Sequence, residues 1–299
     1  MSDLIKTRRE ILFIYDVKDG NPNGDPLDSN KPRIDEETGI NIVTDVRLKR
    51  TVRDFLFNYK GYNGENGKNI FVRTTHDDKG FIKDGKGRAL DFYDKNEKDK
   101  KKAKQEAIEK ILKTCIDIRL FGAVIPLEGD SITFTGPVQF KMGRSLNKVE
   151  LKRIKGTGAF ASKTGAKQQT FRDEYVVPYS IIVFYGIINE NAAKHTGLSD
   201  DDVNELKEAL WNGTKNLLSR SKMLHTPRLL LEIEHLKPGV FIGELDKFVK
   251  LKSDLIDEKI RDITDFELDF KALKEQSTKH NTKINVIKKD DRVKVINLS

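Results

Sequence analysis

Apolar residues recur along this chain in two rhythms, and each rhythm predicts an element. Residues 10–17, Glu-Ile-Leu-Phe-Ile-Tyr-Asp-Val, form a short apolar run rich in aromatic and β-branched side chains, so they read as a buried strand. The run ends in a cluster of turn-forming residues, 18–26. Leu48, Val52, Phe55, Leu56 and Tyr59 then repeat at helical spacing, behind a cap at Thr44 or Asp45, and predict a helix to about Asn58. Residues 60–100 are glycine-rich, charged and irregular, which marks an insertion. A lysine-rich helix follows over 98–114, its apolar side carried by Ala103, Ala107, Ile108, Ile111, Leu112 and Cys115. Residues 131–140 alternate with period two and read as a strand, with Pro137 marking an edge or a bulge. Residues 174–185 give the next strand. Ser199 with Asp202 opens a helix to about Ser219, with Val203, Leu206, Leu210, Leu217 and Leu218 as its apolar face. Residues 229–233 give a last strand.

In order these elements are β, α, β, β, α, β, the split βαβ pattern of ferredoxin-like and RRM-like domains, so the expected class is α+β. Residues 1–59, 115–146 and 173–235 would form that domain, with 60–114 inserted in it. Residues 147–172 fall between the second and third strands, which a hairpin joins in this pattern. They would project as a β-hairpin, with Gly156, Gly158 and Gly165 as places to turn. Residues 236–299 would pack on the domain as an accessory layer.

Charge sharpens this picture. The chain of 299 residues carries a net charge of +8. Between 141 and 172 there are nine basic residues and one acid, Glu150, so this segment alone matches the excess of the whole chain. Concentrated charge suits a polyanion partner better than evenly spread charge does, although a solvated basic loop has the same composition. No apolar run is long enough to span a bilayer, so no membrane partner is expected. The charged first ten residues give no sign of a signal peptide. One cysteine, Cys115, excludes an internal disulfide and a cysteine-built zinc site. Together these features point to the cytoplasm, with no metal or cofactor implied.

Candidate chemistry lies in four places. The RRM aromatic consensus is absent, so Phe13, Tyr15, Tyr179, Phe184 and Tyr185 read as core. Arg47, Lys49, Arg50 and Arg53 lie off the apolar stripe of the first helix, where a row of cations can follow phosphates without reading bases. An exposed solubilising face has the same pattern. The Asn21-Pro-Asn-Gly-Asp25 loop can present backbone N–H groups to an anion, and Ser219-Arg-Ser-Lys222 combines hydroxyl and cationic donors. Asp16, Asp19, Asp25 and Asp28 cluster near a strand end, where they could serve as metal ligands or as ordinary turn-formers. The five histidines show no metal-binding spacing, and no phosphate-binding loop or nucleophile elbow is present.

The ordered set Asn21-Pro-Asn-Gly-Asp-Pro26, Thr44-Asp-Val-Arg-Leu-Lys-Arg-Thr-Val-Arg-Asp54, Asp117-Ile-Arg-Leu-Phe-Gly122, Ile132-Thr-Phe-Thr-Gly-Pro-Val-Gln-Phe140, Ser219-Arg-Ser-Lys222 and Pro227-Arg-Leu-Leu-Leu231 resembles one family. It is the Cas seven family of the RAMP superfamily, the backbone subunits of type I CRISPR Cascade complexes, and above all those of subtypes I-B and I-C. The resemblance implies a hand-like subunit: an RRM-like palm, a finger-like helical insertion at 60–114 and a hairpin thumb at 147–172. It implies a non-catalytic subunit that polymerises with copies of itself along a guide RNA (crRNA), beside other Cascade subunits, and presents the RNA to target DNA. Sequence reading is then left to base pairing. Carried over by position, the RNA contacts are Asn21, Asn23, Lys49, Arg50, Arg53, Arg119, Arg144, Arg172, Ser219, Arg220, Ser221 and Lys222, with Lys152 and Arg153 from the basic segment. Lysines around 95–104 could meet target DNA or could simply be solvated. The alternative within the superfamily is a metal-dependent endoribonuclease that uses an aspartate near the first strand, here Asp25.

Overall fold

The computed structural model describes residues 3–94, 96–127, 130–161 and 169–298. Strand β1 (Arg9–Gly20) leads into a loop with three two-residue strands, β2 (Gly24–Asp25), β3 (Lys31–Pro32) and β4 (Ile34–Asp35). Then come β5 (Ile40–Val43) and helix α1 (Asp45–Tyr59). The insertion holds α2 (Gly85–Leu90) and α3 (Lys100–Thr114), and α4 (Ile116–Phe121) leads back out of it. Strands β6 (Gly122–Leu127), β7 (Asp130–Thr135), β8 (Val138–Phe140) and β9 (Gly143–Lys148) precede a hairpin of β10 (Lys152–Ala161) and β11 (Gln169–Ile188). Helices α5 (Glu190–Thr196) and α6 (Asp200–Lys215) lead to β12 (His225–Glu234). The C-terminal segment adds β13 (Lys250–Lys252), β14 (Glu267–Asp269), α7 (Lys271–Lys279), β15 (Lys283–Lys289) and β16 (Val295–Ile296).

The molecule is mixed α+β around one large antiparallel sheet. Its order is β15-β12-β1-β11-β9-β5-β4, with β8 and β10 also paired to β11. Alternation along β1 divides the interior. Ile11, Phe13, Tyr15 and Val17 face one way, against Leu48, Val52, Phe55 and Leu56 of α1 and Leu206 and Leu210 of α6. Leu12 and Ile14 face the other way, against Leu245, Phe266, Phe270 and Leu273 of the C-terminal segment. Each such fully buried side chain contributes about 1.5–3 kcal/mol relative to exposure. The aromatics Phe13, Tyr15, Tyr179, Phe184 and Tyr185 are all buried between these layers.

The insertion has a core of its own, in which Phe71, Phe92, Ile108 and Ile111 surround Cys115. Burial raises that thiol to about 12, which leaves it inert at neutral pH.

Several elements differ from the sequence reading. The expected strand 131–140 is two strands, and the first of them, β7, pairs with β6 rather than with the central sheet. The break falls at Gly136, where a Cβ would lie 2.0 Å from the Phe121 carbonyl carbon. Gly122, facing it, has φ 66° and could not carry a side chain either, since a Cβ there would lie 2.0 Å from Phe134 O. Helix α6 stops at Lys215, so Leu218 is not on its apolar face and is 86% exposed. Helix α3 starts at Lys100 because Asp99 caps it, its side chain accepting from the N–H groups of Lys101 and Lys102. Strand β9, Gly-Arg-Ser-Leu-Asn-Lys, has no apolar alternation to betray it. It is held by polar side chains: Asn147 donates to Tyr179 O at 3.2 Å and accepts from Ile181 N at 3.0 Å. Ser145 accepts from Asn41 N at 2.9 Å, which ties β9 to β5.

Candidate nucleic-acid interface

Three motifs far apart in sequence converge at one end of β1. Asn21 N donates to Ser221 O at 2.8 Å, and Lys222 Nζ donates to Asn21 O at 2.7 Å. Gly20 permits this approach, since a Cβ there would lie 2.7 Å from Ser221 O. Asn21 Nδ2 closes the loop onto Asn30 O at 2.6 Å. Asn23 Oδ1 accepts from both the N–H and the hydroxyl of Thr44, at 2.8 Å each. Thr44 in turn caps α1 by accepting from Arg47 N. The loop, the 219–222 turn and the start of α1 therefore form one unit. The amide groups of Asn21 and Asn23 build that unit from within.

The cations divide by burial and partner. Arg53 donates to Asp117 at 3.0 Å, and Asp117, wholly buried, also accepts from Phe71 N and Val72 N. Arg119 forks onto Asp202 at 2.8 and 2.7 Å and reaches the carbonyls of Leu112 and Lys113. Both guanidiniums clamp the insertion and α4 to the helices, and little of either is exposed. Lys49 is as covered as those two, while Arg50, Arg144 and the hairpin cations face solvent more. Lys49 pairs with Asp45 at 3.0 Å and reaches Gln139, and Arg50 forks onto Asp54 within its own helix at 2.7 and 2.8 Å. Arg144, on β9, sits 3.7 Å from Asp35 of β4. On the hairpin, Lys152 is exposed and Arg153 forks onto Asp173 of the facing strand at 3.1 and 2.6 Å. Exposed ion pairs of this kind hold each other weakly, by about 0.2–1 kcal/mol, so a phosphate can displace the carboxylate. Arg220 pairs with Glu174, and Ser219 is exposed. The backbone of Arg172 lies opposite Gly156. Its side chain, like Lys163 and Lys167, falls outside the described residues.

The hairpin itself outruns the sheet. β11 pairs with β1 only from Val177 to Ile188. Its first part, from Gln169 to Val176, pairs with β10 alone. At its foot a cleft of about 690 Å³ opens between Lys31, Arg33 and Ile34 on one side and Met142, Val149 and Leu151 on the other.

One residue at the convergence, His225, was not among the sequence candidates, while Arg47 was named on the basic face of the first helix but not among the contacts that the resemblance implies. Arg47 leaves the apolar stripe in the first turn of α1, and His225 opens β12 behind it. Burial, helped by the charge of Arg47, lowers the Lys222 ammonium to about 8. Burial, with Lys222 and Arg47 adding, lowers the His225 imidazole to about 3 and keeps it neutral. The off-stripe position of Arg47 was a signal in the sequence; His225 gave none.

The aspartates near β1 hold structure. Asp16 is buried and accepts from Tyr179 Oη at 2.6 Å and Arg228 Nε at 2.8 Å. Asp25 accepts from Arg33 at 2.7 Å and from Leu27 N at 3.0 Å. Among the described residues no group of three histidine, cysteine or acidic side chains is placed to hold a metal ion. No helix of the described residues is long and apolar enough to cross a membrane.

Comparison with known proteins agrees with this geometry. A relative from Haloferax volcanii, described as CRISPR-associated protein Cas7, is 33% identical over 292 residues, covering 90% of this chain and 82% of its own length. Two solved structures share the fold at a TM-score of 0.51 each. One is described as a CRISPR RNA-guided surveillance complex, pre-nicking, with 15% identity over 79% of this chain and 81% of that one. The other is described as a CRISPR RNA-guided surveillance complex, with 12% identity over 98% and 95%. The family described as CRISPR-associated protein Cas7 matches residues 7–271, and the chain belongs to that family.

Proposed function

We propose that this chain is a non-catalytic, guide-RNA-binding backbone subunit of a type I CRISPR interference complex, of the subtype I-B or I-C kind. Copies repeat along the crRNA, beside other subunits, and present it to target DNA. The observation that carries the reading, given the family, is the basic hairpin that continues β11 past its last β1 partner. It serves as a thumb over the strand. The palm is ferredoxin-like: β12, β1 and β11 are neighbours and β9 follows, while α1 and α6 cover one face. The other face, which an RRM offers to RNA, lies under the C-terminal segment. The RNA therefore runs past the helix side, the loops and the thumb.

The test is co-expression with a repeat-containing RNA, followed by electron microscopy. Wild-type protein forms RNA-bound helical filaments. Replacing residues 152–172 by a short turn abolishes them. Filaments from that variant, or none from the wild type, overturn the reading.

A further inference from the structure

The hairpin and the sheet share strand β11, and the ladder thins where one passes into the other. On one edge of β11, β9 pairs at Ser145–Ile182 and Arg144–Val183. β10 takes up that edge only from Lys152–Val176 onward. Among the described residues, no strand pairs with 177–181 there. The opposite edge is interrupted at the same place. Pro178 brings no N–H to the ladder with β1. Asp19, between the pairs Lys18–Tyr179 and Gly20–Val177, has φ 47°, which a residue with a side chain rarely adopts.

A side chain fills the gap. Asn147, 1% exposed near the end of β9, sets its amide where the next rung would lie. Its Oδ1 accepts from Ile181 N at 3.0 Å, and its Nδ2 donates to Tyr179 O at 3.2 Å. Three more buried polar side chains secure it. The Ser145 hydroxyl donates to Asn147 O at 2.6 Å and accepts from Asn41 N at 2.9 Å. The Ser180 hydroxyl donates to Asn41 Oδ1 at 3.0 Å, and Asn41 Nδ2 donates to Arg33 O at 2.8 Å. As the chain leaves, Lys148 N donates to Asp257 Oδ2 and Val149 N to Gly39 O, at 2.9 Å each. Apolar packing tolerates small rotations, whereas hydrogen bonds weaken steeply as their angles open, so a satisfied polar network fixes direction.

We propose that Asn147 is a positioning residue for RNA binding: its amide stands in for the missing rungs and sets the direction in which the hairpin leaves the sheet. The proposal rests on the reading of the hairpin as a thumb over guide RNA. Buried as it is, Asn147 acts through the backbone of Tyr179 and Ile181 rather than by touching the strand. A hairpin already held in its bound direction pays no ordering cost when RNA arrives, and a released one does.

Spin labels at Lys155→Cys on the hairpin and Lys194→Cys on α5, both exposed positions, report that direction as a distance distribution, while the buried Cys115 stays unlabelled. With Asn147 present the distribution is one narrow peak. Asn147→Leu, close in size but without the amide, broadens it, and anisotropy of a labelled single-stranded RNA shows the Kd rising about ten-fold. Asn147→Asp keeps an acceptor for Ile181 N and falls between the two. Leu206→Ala, which hollows the core under α6, lowers the Tm but leaves the peak narrow and the Kd unchanged. A peak that stays narrow in Asn147→Leu, one that Leu206→Ala broadens equally, or an unchanged Kd beside a broadened peak overturns the positioning role and leaves the guide-RNA reading standing. RNA binding absent in the wild type, with the peak broadened by Asn147→Leu alone, overturns the guide-RNA reading and leaves a brace that directs the hairpin. Should Asn147→Leu fail to fold, Asn147→Asp carries the comparison.

Discussion

Arg228 shows what a buried charge does for this fold. It is 6% exposed and holds Asp16 of β1 on one side and Asp290 on the other, the latter at 2.9 Å. One side chain thereby joins the central strand, β12 and the C-terminal segment. Removing one partner of a buried pair leaves the other uncompensated, at about 3–5 kcal/mol. Arg228→Ala should lose stability of that order in urea denaturation. A loss under about 1 kcal/mol would show that Asp16 is content as a neutral acid. Burial raises the Asp16 carboxyl against the pull of Arg228, so removing the arginine leaves burial less opposed. Two arginines of α1 make a second contrast. Arg53→Glu sets a second carboxylate against the buried Asp117 and should cost about 3 kcal/mol or more. Arg50→Glu, on the exposed face, should cost under about 1 kcal/mol yet weaken RNA binding. Paired melting and RNA-binding measurements separate them; equal melting losses would refute the division between clamp and contact.

At the scale of elements, the hairpin is dispensable to the sheet. Residues 177–188 of β11 keep their β1 partners when 152–172 is replaced by a turn. That variant should melt within a few degrees of the wild type, and a collapse of its near-UV circular dichroism would show the hairpin to be part of the core. Elements with plain periodicity were legible in the sequence: β1, α1, α3, most of β11, and the capped start of α6. Strand β9 was not, because Ser145 and Asn147 hold it through polar side chains that look like loop residues. The split between β7 and β8 depends on two glycines in contact across the chain, Gly122 and Gly136, which no local pattern reveals. The site was half legible. The three motifs were visible one by one, but their meeting at Asn21, Thr44 and Ser221 is a tertiary fact. So is the pairing of Arg53 with Asp117 and of Arg119 with Asp202, since a cation and its distant partner carry no mark of each other in sequence.

At the scale of the molecule, three layers decide where a polymer can lie. Helices cover one face of the sheet and the C-terminal segment covers the other. The second cover is pinned by Glu10, fully buried on β1. It accepts from Ile242 N and Gly243 N at 2.8 Å each, and from Tyr185 Oη at 2.6 Å, and it bonds His235 at 2.6 Å. With four partners on one carboxylate, this layer is a fixture of the fold rather than a loose tail.

β11 belongs both to the sheet and to the hairpin, with no hinge between them. Force on the paired part of the hairpin therefore runs along the strand axis into the ladder with β1. In that direction the rungs bear load together, in shear, whereas pulling across the sheet would open them one at a time, like a zipper. If the hairpin is the thumb proposed above, a pull from a strand wound by neighbouring copies would reach the sheet in its strongest direction, and the grip would yield last.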